Sequence, residues 1–237
     1  MLTALVESRG YPVARLLPSL LAGYETGGLL EKAYAGKTTP GGFRSSAVYG
    51  ASAAAAAAGK MIGLPEKQLA AALANAVSFS GGLLQSFSDG TDEWRYQVGV
   101  VARLGLVAAE LAHSGSVSAP HAYEGPTGFV RSFARTECDA QALAGNLGKD
   151  WAVMRVAFKP FPVCAFNQTP VTAALVLREK LSGAAIESVK VRMNPYETGY
   201  AGMDAVGPFS TISGTLMSIP FCIAATLLRG VPDMRRM

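Results

Sequence analysis

The sequence predicts a mainly α-helical protein, in which an all-helical domain carries a small, incomplete α+β lid. The first observation behind this class is Ala47–Ile62, which consists almost entirely of small residues and has one charge, Lys60, close to its end. A helix without a polar face must be covered on all sides, so we expect this segment to be the central helix of a bundle. The second is that apolar residues recur at helical spacing on both sides of it, in Pro12–Ala35 and from Asp92 to Gly115. The third is a change of pattern near residue 151, where β-branched residues replace the alanine-rich helices.

The helices of the first part have recognisable beginnings and ends. A short opening helix precedes Pro12–Ala35, in which Gly27 and Gly28 allow a neighbour to approach closely. Ser45 or Ser46 can cap the central helix. The glycine at position 63 stops it. Further helices are predicted in the ranges 66–77, 92–114, 125–134 and 138–147.

The lid is predicted from the alternation of apolar and polar residues in two segments. Val153–Phe158 and Ile186–Met193 are typical of strands, and Val171–Leu181 between them is typical of a helix. Ser213–Leu228 then returns to a helical pattern that Gly230 ends. The predicted organisation is a helical domain, a partial α+β lid and a return to the helical domain, at residues 1–150, 151–207 and 208–237.

Composition excludes several functional classes. Half of the residues are hydrophobic, only 16% are charged, and the net charge of +4 is scattered, so nucleic acid is not an expected ligand. Three distant cysteines and two histidines give no metal-binding pattern, so we expect no metal and no cofactor. The cysteine usage and the absence of a signal-like start predict a cytoplasmic protein. We expect no membrane span, because the apolar segment near the C-terminus is short and contains Pro220.

Three places carry candidate binding or catalytic groups. Arg44 precedes the central helix, where a guanidinium suits a carboxylate or phosphate, although a solvated or ion-paired arginine is the more ordinary interpretation. The start of the next long helix is the dense run EWRYQ, which is equally consistent with a solvated helix start. Lys159 lies between prolines where the pattern changes, a position from which it can face a cleft; an ordinary exposed lysine is the alternative.

Several stretches in order resemble the MmgE/PrpD family, which includes 2-methylcitrate dehydratase, cis-aconitate decarboxylase and iminodisuccinate epimerase. The resemblance covers most of the chain and rests on these segments: LLAGYETGGLLEKA, GGFRSSAVYGASAAAAAAGKMIGLPEKQLAAALANA, GLLQSF, GTDEWRYQVGVVARLGLVAAELAHSG, EGPTGF, FKPFPVC and SGTLMSIPFCIAATLLRG. It implies an all-helical domain with an α+β lid, a homodimer, and a small di- or tricarboxylate as substrate.

The catalytic residues of the family are only partly matched. The lysine of its K-x-[FY]-P motif is kept as Lys159, but Arg44 stands where the family has a histidine. Trp94 and Gln97 replace a lysine and a histidine, and Phe221 replaces a tyrosine. The family's upstream stretch rich in histidine and aspartate has no counterpart here, so the sequence is expected to be a central piece of such a protein.

The resemblance implies a metal-independent lyase, first of all a dehydratase of a hydroxy-polycarboxylate. Arg44, Ser45, Arg95 and Gln97 are the expected substrate-binding residues, and Lys159 is the expected acid or base. Decarboxylation or epimerisation within the same family is an alternative. A catalytically inactive binding or structural subunit is another, since the family's histidines are substituted. A divergent member whose EWRYQ cluster accepts a less charged ligand with an apolar part is a third.

Overall fold

The structure is a computed structural model that describes residues 1–235, and within this range the secondary structure is almost entirely helical. The predicted mainly α-helical class is therefore confirmed. The helices are α1 Leu2–Arg9, α2 Leu16–Thr38, α3 Ser45–Val48, α4 Gly50–Ile62, α5 Glu66–Ser78, α6 Gln85–Asp89, α7 Glu93–His113, α8 Ala140–Ala144, α9 Gln168–Leu181, α10 Pro195–Thr198, α11 Ile212–Met217 and α12 Ile219–Arg229. Shorter helical turns lie at Val13–Arg15, Val130–Ala134, Ala152–Arg155 and Ala165–Asn167.

The chain forms two compact units. The first contains Met1–Leu83 and Arg95–Val156, and the second contains Leu84–Trp94 and the chain from Ala157 onward. Each has its own buried apolar clusters.

The alanine-rich helix α4 forms the centre of the first unit, as predicted. Ala51, Ala55 and Ala58 are completely buried. On one side, α2 approaches so closely that a Cβ at Gly27 would lie 3.0 Å from the Cβ of Ala53. Small side chains on both helices permit this short separation, which is why a sequence without a polar face folds into the interior.

The beginning of the central helical stretch differs from the prediction, whereas its end agrees. The short helix α3 comes first, and a turn at Tyr49 separates it from α4. Neither Ser45 nor Ser46 caps it; Arg44 is the residue before α3, and no side chain caps that end. Gly63 ends α4 in the left-handed conformation, with φ of 87°, and its N–H donates to the carbonyl of Gly59.

The first predicted strand, Val153–Phe158, is wrong. The chain makes a 3₁₀ turn at Ala152–Arg155 because the Glu25 carboxylate of α2 accepts hydrogen bonds from the backbone N–H groups of Ala152 (2.8 Å) and Val153 (3.0 Å). A side chain therefore supplies the partners that a neighbouring strand would have supplied.

The second predicted strand, Ile186–Met193, is also wrong, because this segment pairs with no other strand. Within residues 1–235 the β-pairing consists of one isolated antiparallel bridge, between Phe43 and Leu83. Val189 and Val191 are 50% and 41% exposed, so the alternating pattern covers no buried face. Alternation of apolar and polar residues indicates a strand only where a neighbouring strand pairs with the segment and a core buries its apolar face.

The predicted helix Ser213–Leu228 is present as two helices, α11 and α12. Proline lacks an N–H and its ring disfavours a helical residue before it, so Pro220 fits only in the first turn of α12. Ser218 has extended backbone angles, and its hydroxyl accepts the N–H of Phe221 at 3.0 Å. Gly230 ends the pair, as predicted.

Candidate functional site

Arg44 is held in the first unit by its backbone and by its side chain. Its N–H donates to the carbonyl of Gly82 at 3.1 Å, beside the bridge that joins Phe43 to Leu83. One guanidinium nitrogen, Nη1, donates to Oε1 of Gln97 at 3.1 Å, and the residue is half-buried. The structure thus brings together two of the residues that the sequence nominated.

Gln97 is itself fixed in orientation. Its Nε2 donates to the carbonyl of Leu83 at 3.0 Å, which leaves its Oε1 directed at Arg44. The segment around Gly82 and Leu83 therefore contacts both side chains. Two polar groups held by several hydrogen bonds need little reorganisation to receive a ligand.

Gly82 allows this close arrangement. Its φ of 136° lies in a region that side-chain-bearing residues rarely adopt, and a Cβ on it would collide with the Cβ of Ala47. The path of the chain at Arg44, Gly82 and Gln97 therefore depends on the missing side chain.

An open cleft of about 970 Å³ lies among helices of the same unit, and Ser45 lines it. Its walls come mainly from α2, α4 and α7, and they are rich in glycine, alanine and other apolar residues. The polar side chains on its lining include Glu31, Ser46 and Tyr49. Arg44 and Gln97 are not part of the lining, but each is followed in the chain by a residue that is, Ser45 and Val98.

Glu31 is a residue of the cleft that sequence reasoning missed. Burial of its carboxyl group raises the pKa above the ordinary value of 4.5, although the residue as a whole is still exposed, and a hydrogen bond with Ser45 opposes this effect. A signal was available, because Glu31 lies three and four residues after Gly28 and Gly27 and so shares their helix face.

The raised pKa predicts a pH-dependent effect on stability. Because the folded state holds the proton of Glu31 more tightly than the unfolded state, the folded state loses stability as pH rises from 4.5 through the folded pKa. Glu31→Gln removes this loss. We expect the variant to be more stable than the wild type at neutral pH, and the difference to shrink below 4.5, in urea unfolding followed by circular dichroism across this range. An identical pH dependence for both proteins would contradict the assignment.

The two cations that line the cleft share one acidic partner. Lys32 Nζ lies 3.1 Å from Asp150 Oδ2, and Arg155 pairs with the other oxygen of the same carboxylate. All three side chains are about half exposed, so these pairs contribute little to stability. Their effect is to place positive charge beside the cleft.

Arg95 and Lys159 have other surroundings. Arg95 is exposed in the first turn of α7, two residues from Gln97 and so about 200° around the helix from it. Lys159 belongs to the second unit, where its Nζ donates to the carbonyl of Val163 at 3.2 Å. The functional roles assigned to these residues, and to Arg44, Ser45 and Gln97, stay predictions.

The loop that carries Lys159 is held by a residue that the sequence analysis did not single out. Gln168 at the start of α9 donates to the carbonyls of Phe161, Val163 and Cys164 at 3.0 to 3.2 Å. Its Oε1 accepts the N–H of Phe161 at 3.1 Å. This one side chain replaces the backbone pairing that the proline-rich loop cannot make.

The structure also bears on the expectations about metal binding and membrane spans. Among residues 1–235, no group of three or more histidine, cysteine, aspartate or glutamate side chains is arranged to hold a metal ion. Over the same range, no helix combines the length and apolar character needed to cross a bilayer.

Comparison with known proteins identifies the family. Residues 1–141 match the MmgE/PrpD N-terminal domain. The chain belongs to the MmgE/PrpD family. The resemblance seen in the sequence is thus confirmed, and its matched part includes Arg44, Gln97 and the α2, α4 and α7 walls of the cleft.

Curated relatives give the same family. The chain is 29% identical to a cis-aconitate decarboxylase of Aspergillus terreus over 225 residues, covering 88% of this chain and 45% of that protein. It is 31% identical over 150 residues to the cis-aconitate decarboxylase-like protein oryM of Aspergillus oryzae, covering 60% of this chain and 31% of the relative. The MmgE/PrpD chain described here therefore spans less than half the length of these relatives.

Proposed function

We propose that this MmgE/PrpD protein is a lyase that acts on a small di- or tricarboxylate, with Arg44 as a carboxylate-binding residue. The observation that carries the proposal is the hydrogen-bonded pair of Arg44 and Gln97 beside the cleft. A guanidinium presents five N–H donors in a planar fork that matches a carboxylate. Gln97 orients that fork, and the Ser45 hydroxyl is the next polar group along the chain.

The chemistry follows from the charge that must be stabilised. In a dehydration, a base removes a proton from the carbon next to a carboxylate, and the electron pair moves first onto that carboxylate. The hydroxyl group on the neighbouring carbon then leaves with a proton as water, and a carbon–carbon double bond forms. A fixed guanidinium stabilises the extra negative charge of the intermediate most where little water is present.

Decarboxylation is the second candidate reaction, and the two cis-aconitate decarboxylases of Aspergillus terreus favour it. In that reaction the bond between a carbon and its carboxylate breaks, carbon dioxide leaves, and a proton takes the place of the lost group. An acid residue must supply this proton. The demand on Arg44 is the same in both reactions, because each one places excess charge beside a retained carboxylate.

Lys159 is the proposed proton-transferring residue, on the strength of its match to the K-x-[FY]-P motif. Lys159→Ala is expected to lower kcat by about 10²- to 10⁴-fold, the usual contribution of general acid–base catalysis. The matched control is Lys180→Ala, which removes an exposed lysine of the second unit. Its kcat is expected to equal that of the wild type.

The experiment compares turnover of 2-methylcitrate, citrate and cis-aconitate. Ultraviolet absorbance of an unsaturated product detects dehydration, and released carbon dioxide detects decarboxylation. Turnover that Lys159→Ala abolishes and Lys180→Ala preserves supports the proposal. Absence of both reactions with every substrate would instead favour an inactive binding or structural subunit. The homodimer implied by the resemblance is part of the proposal and is tested by sedimentation equilibrium.

A further inference from the structure

One amide group, that of Gln168, has a fixed orientation against the loop that carries Lys159. Its Oε1 accepts the backbone N–H of Phe161 at 3.1 Å, and its Nε2 donates to the carbonyl of the same residue at 3.0 Å. Because an N–H group can only donate and a carbonyl can only accept, exchanging the two ends of the amide would lose both hydrogen bonds. The chemistry of the contact therefore determines which way the amide faces.

The same amide also holds Val163, whose carbonyl receives the ammonium group of Lys159. Gln168 Nε2 lies 3.1 Å from the carbonyl oxygen of Val163, and Lys159 Nζ lies 3.2 Å from that oxygen. Val163 is 2% exposed and packs in an apolar cluster of the second unit. One carbonyl oxygen of a buried residue therefore has two donors, the amide of Gln168 and the ammonium group of Lys159.

Gln168 projects from a packed part of the second unit. Helix α9 begins at this residue, and Val171 on its first turn is completely buried. The preceding residue, Asn167, is also completely buried, and its Nδ2 donates to the carbonyl of Met217 in α11 at 2.9 Å. A side chain on such an element is held more precisely than one on a loop. The amide of Gln168 therefore transfers the position of α9 to the loop.

The loop needs this support because it has few backbone donors of its own. Proline has no N–H group, so neither Pro160 nor Pro162 can donate to a neighbouring segment. Lys159 is exposed, and its four-carbon side chain has many rotamers among which the ammonium group would otherwise be distributed. A carbonyl acceptor at a fixed position limits this freedom.

We propose that Gln168 is a positioning residue, which holds the ammonium group of Lys159 in place through the carbonyl of Val163. The inference rests on the proposed function for the role of Lys159 in proton transfer, and it adds the residue on which that role depends. Proton transfer requires the two heavy atoms to lie within hydrogen-bond distance, and a displacement of about 1 Å can lower the rate about 10²-fold. Gln168 exerts its effect through Lys159 and needs no contact with the substrate.

The first test measures the mobility of the Lys159 side chain and requires no turnover. Lysine is labelled with carbon-13 at the ε-carbon, NMR relaxation gives an order parameter for each ε-methylene group, and the Lys159 signal is the one missing from Lys159→Ala. In the wild type, Lys159 is expected to be more ordered than Lys180, an exposed lysine of the same unit. Gln168→Met, which keeps the length of the side chain but has no amide, is expected to remove this difference.

Two further variants make this test specific. Gln85→Met is the matched control, because it removes an exposed glutamine of the second unit, and the order of Lys159 is expected to stay at the wild-type value. Gln168→Asn replaces Gln168→Met if circular dichroism shows that the latter is unfolded. It retains an amide that is one methylene too short to reach the carbonyl of Val163, so the same loss of order is expected.

Steady-state kinetics gives the functional readout. Gln168→Met is expected to lower kcat about 10- to 100-fold with little change in KM, because a displaced Lys159 affects the transition state and not the binding of substrate. In the Lys159→Ala background, Gln168→Met is expected to cause no further loss, since the residue through which it acts is already absent. A loss confined to KM, or one that adds to the loss in Lys159→Ala, would show that Gln168 does not act through Lys159.

The outcomes separate this inference from the proposed function. Equal order of Lys159 and Lys180 in the wild type, or an order of Lys159 that the Gln168 variants leave intact, overturns the positioning role. Turnover that depends on Lys159 in that case still supports the lyase. Conversely, a loss of order in the Gln168 variants supports the positioning role even if no substrate is turned over, and then only the lyase proposal fails.

Discussion

Gly105→Ala is expected to destabilise the first unit by about 2–3 kcal/mol, near the top of the usual range for overpacking a core. Gly105 is buried in α7 where this helix crosses α4. A Cβ at this position would lie 2.6 Å from the backbone nitrogen of Ala55 and 2.8 Å from the carbonyl oxygen of Ala51, besides colliding with the side chain of Ala54. Backbone atoms cannot rotate away as a side chain can, so the helices must separate.

Gly99→Ala is the matched control, because Gly99 lies on the same helix with nothing within 4 Å of the position a Cβ would occupy. This exposed glycine opposes helix formation, and its replacement by alanine is expected to stabilise the protein by about 0.5–1 kcal/mol. Urea unfolding followed by circular dichroism measures both variants. If Gly105→Ala and Gly99→Ala changed the urea midpoint of unfolding equally, α7 would not contact α4 as described.

Arg44→Ala is expected to lower kcat/KM for the polycarboxylate substrate by about 10²- to 10³-fold, the size of effect seen when one donor to a developing negative charge is removed. If Arg44 binds the charge of the intermediate, most of the loss falls on kcat; if it binds the substrate and the intermediate equally, the loss falls on KM. The variant also removes the hydrogen-bond donor to Gln97. Steady-state kinetics over a range of substrate concentrations distinguishes these cases.

Two variants control the Arg44 experiment. Arg44→Lys retains the charge but loses the planar fork, so it is expected to recover only part of the activity. Arg103→Ala removes an exposed arginine of α7 outside the cleft and is expected to match the wild type. If Arg44→Ala were as active as Arg103→Ala, Arg44 would be a structural residue that holds Gln97, and the proposed site would be wrong.

The helical framework could be read from the sequence because its signals are local. The alanine-rich segment with Gly63 at its end predicted a buried helix, and most residues of α4 are buried. Helix α9 begins at Gln168 where the prediction began at Val171, which is a difference of less than one turn. Helix periodicity depends on the residue types within one segment, so it can be recognised without knowing what packs against that segment.

The strand predictions failed because pairing is not local. Residues 186–193 alternate as a strand does, yet no other segment pairs with them within the part of the chain that the structure describes. Near residue 153 the N–H groups bind the carboxylate of Glu25, which is far away in the sequence. Neither outcome can be deduced from a pattern confined to the segment itself.

The site could be predicted only in part, for the same reason. Arg44 and Gln97 were nominated from separate motifs, and the contact between them arises from the path of the chain at Gly82 and Leu83. Glu31 was missed because its role depends on Ser45, a residue fourteen positions away, and on the cleft that the helices enclose.

The sequence by itself determined the family and the helical class, since these depend on residue type and spacing along the chain. Only the tertiary structure decided which polar side chains meet and how large the cleft is. Those properties depend on distances between segments. Several of the shortest of these distances involve glycine and alanine, whose absent or very small side chains give no chemical signal of what lies opposite them.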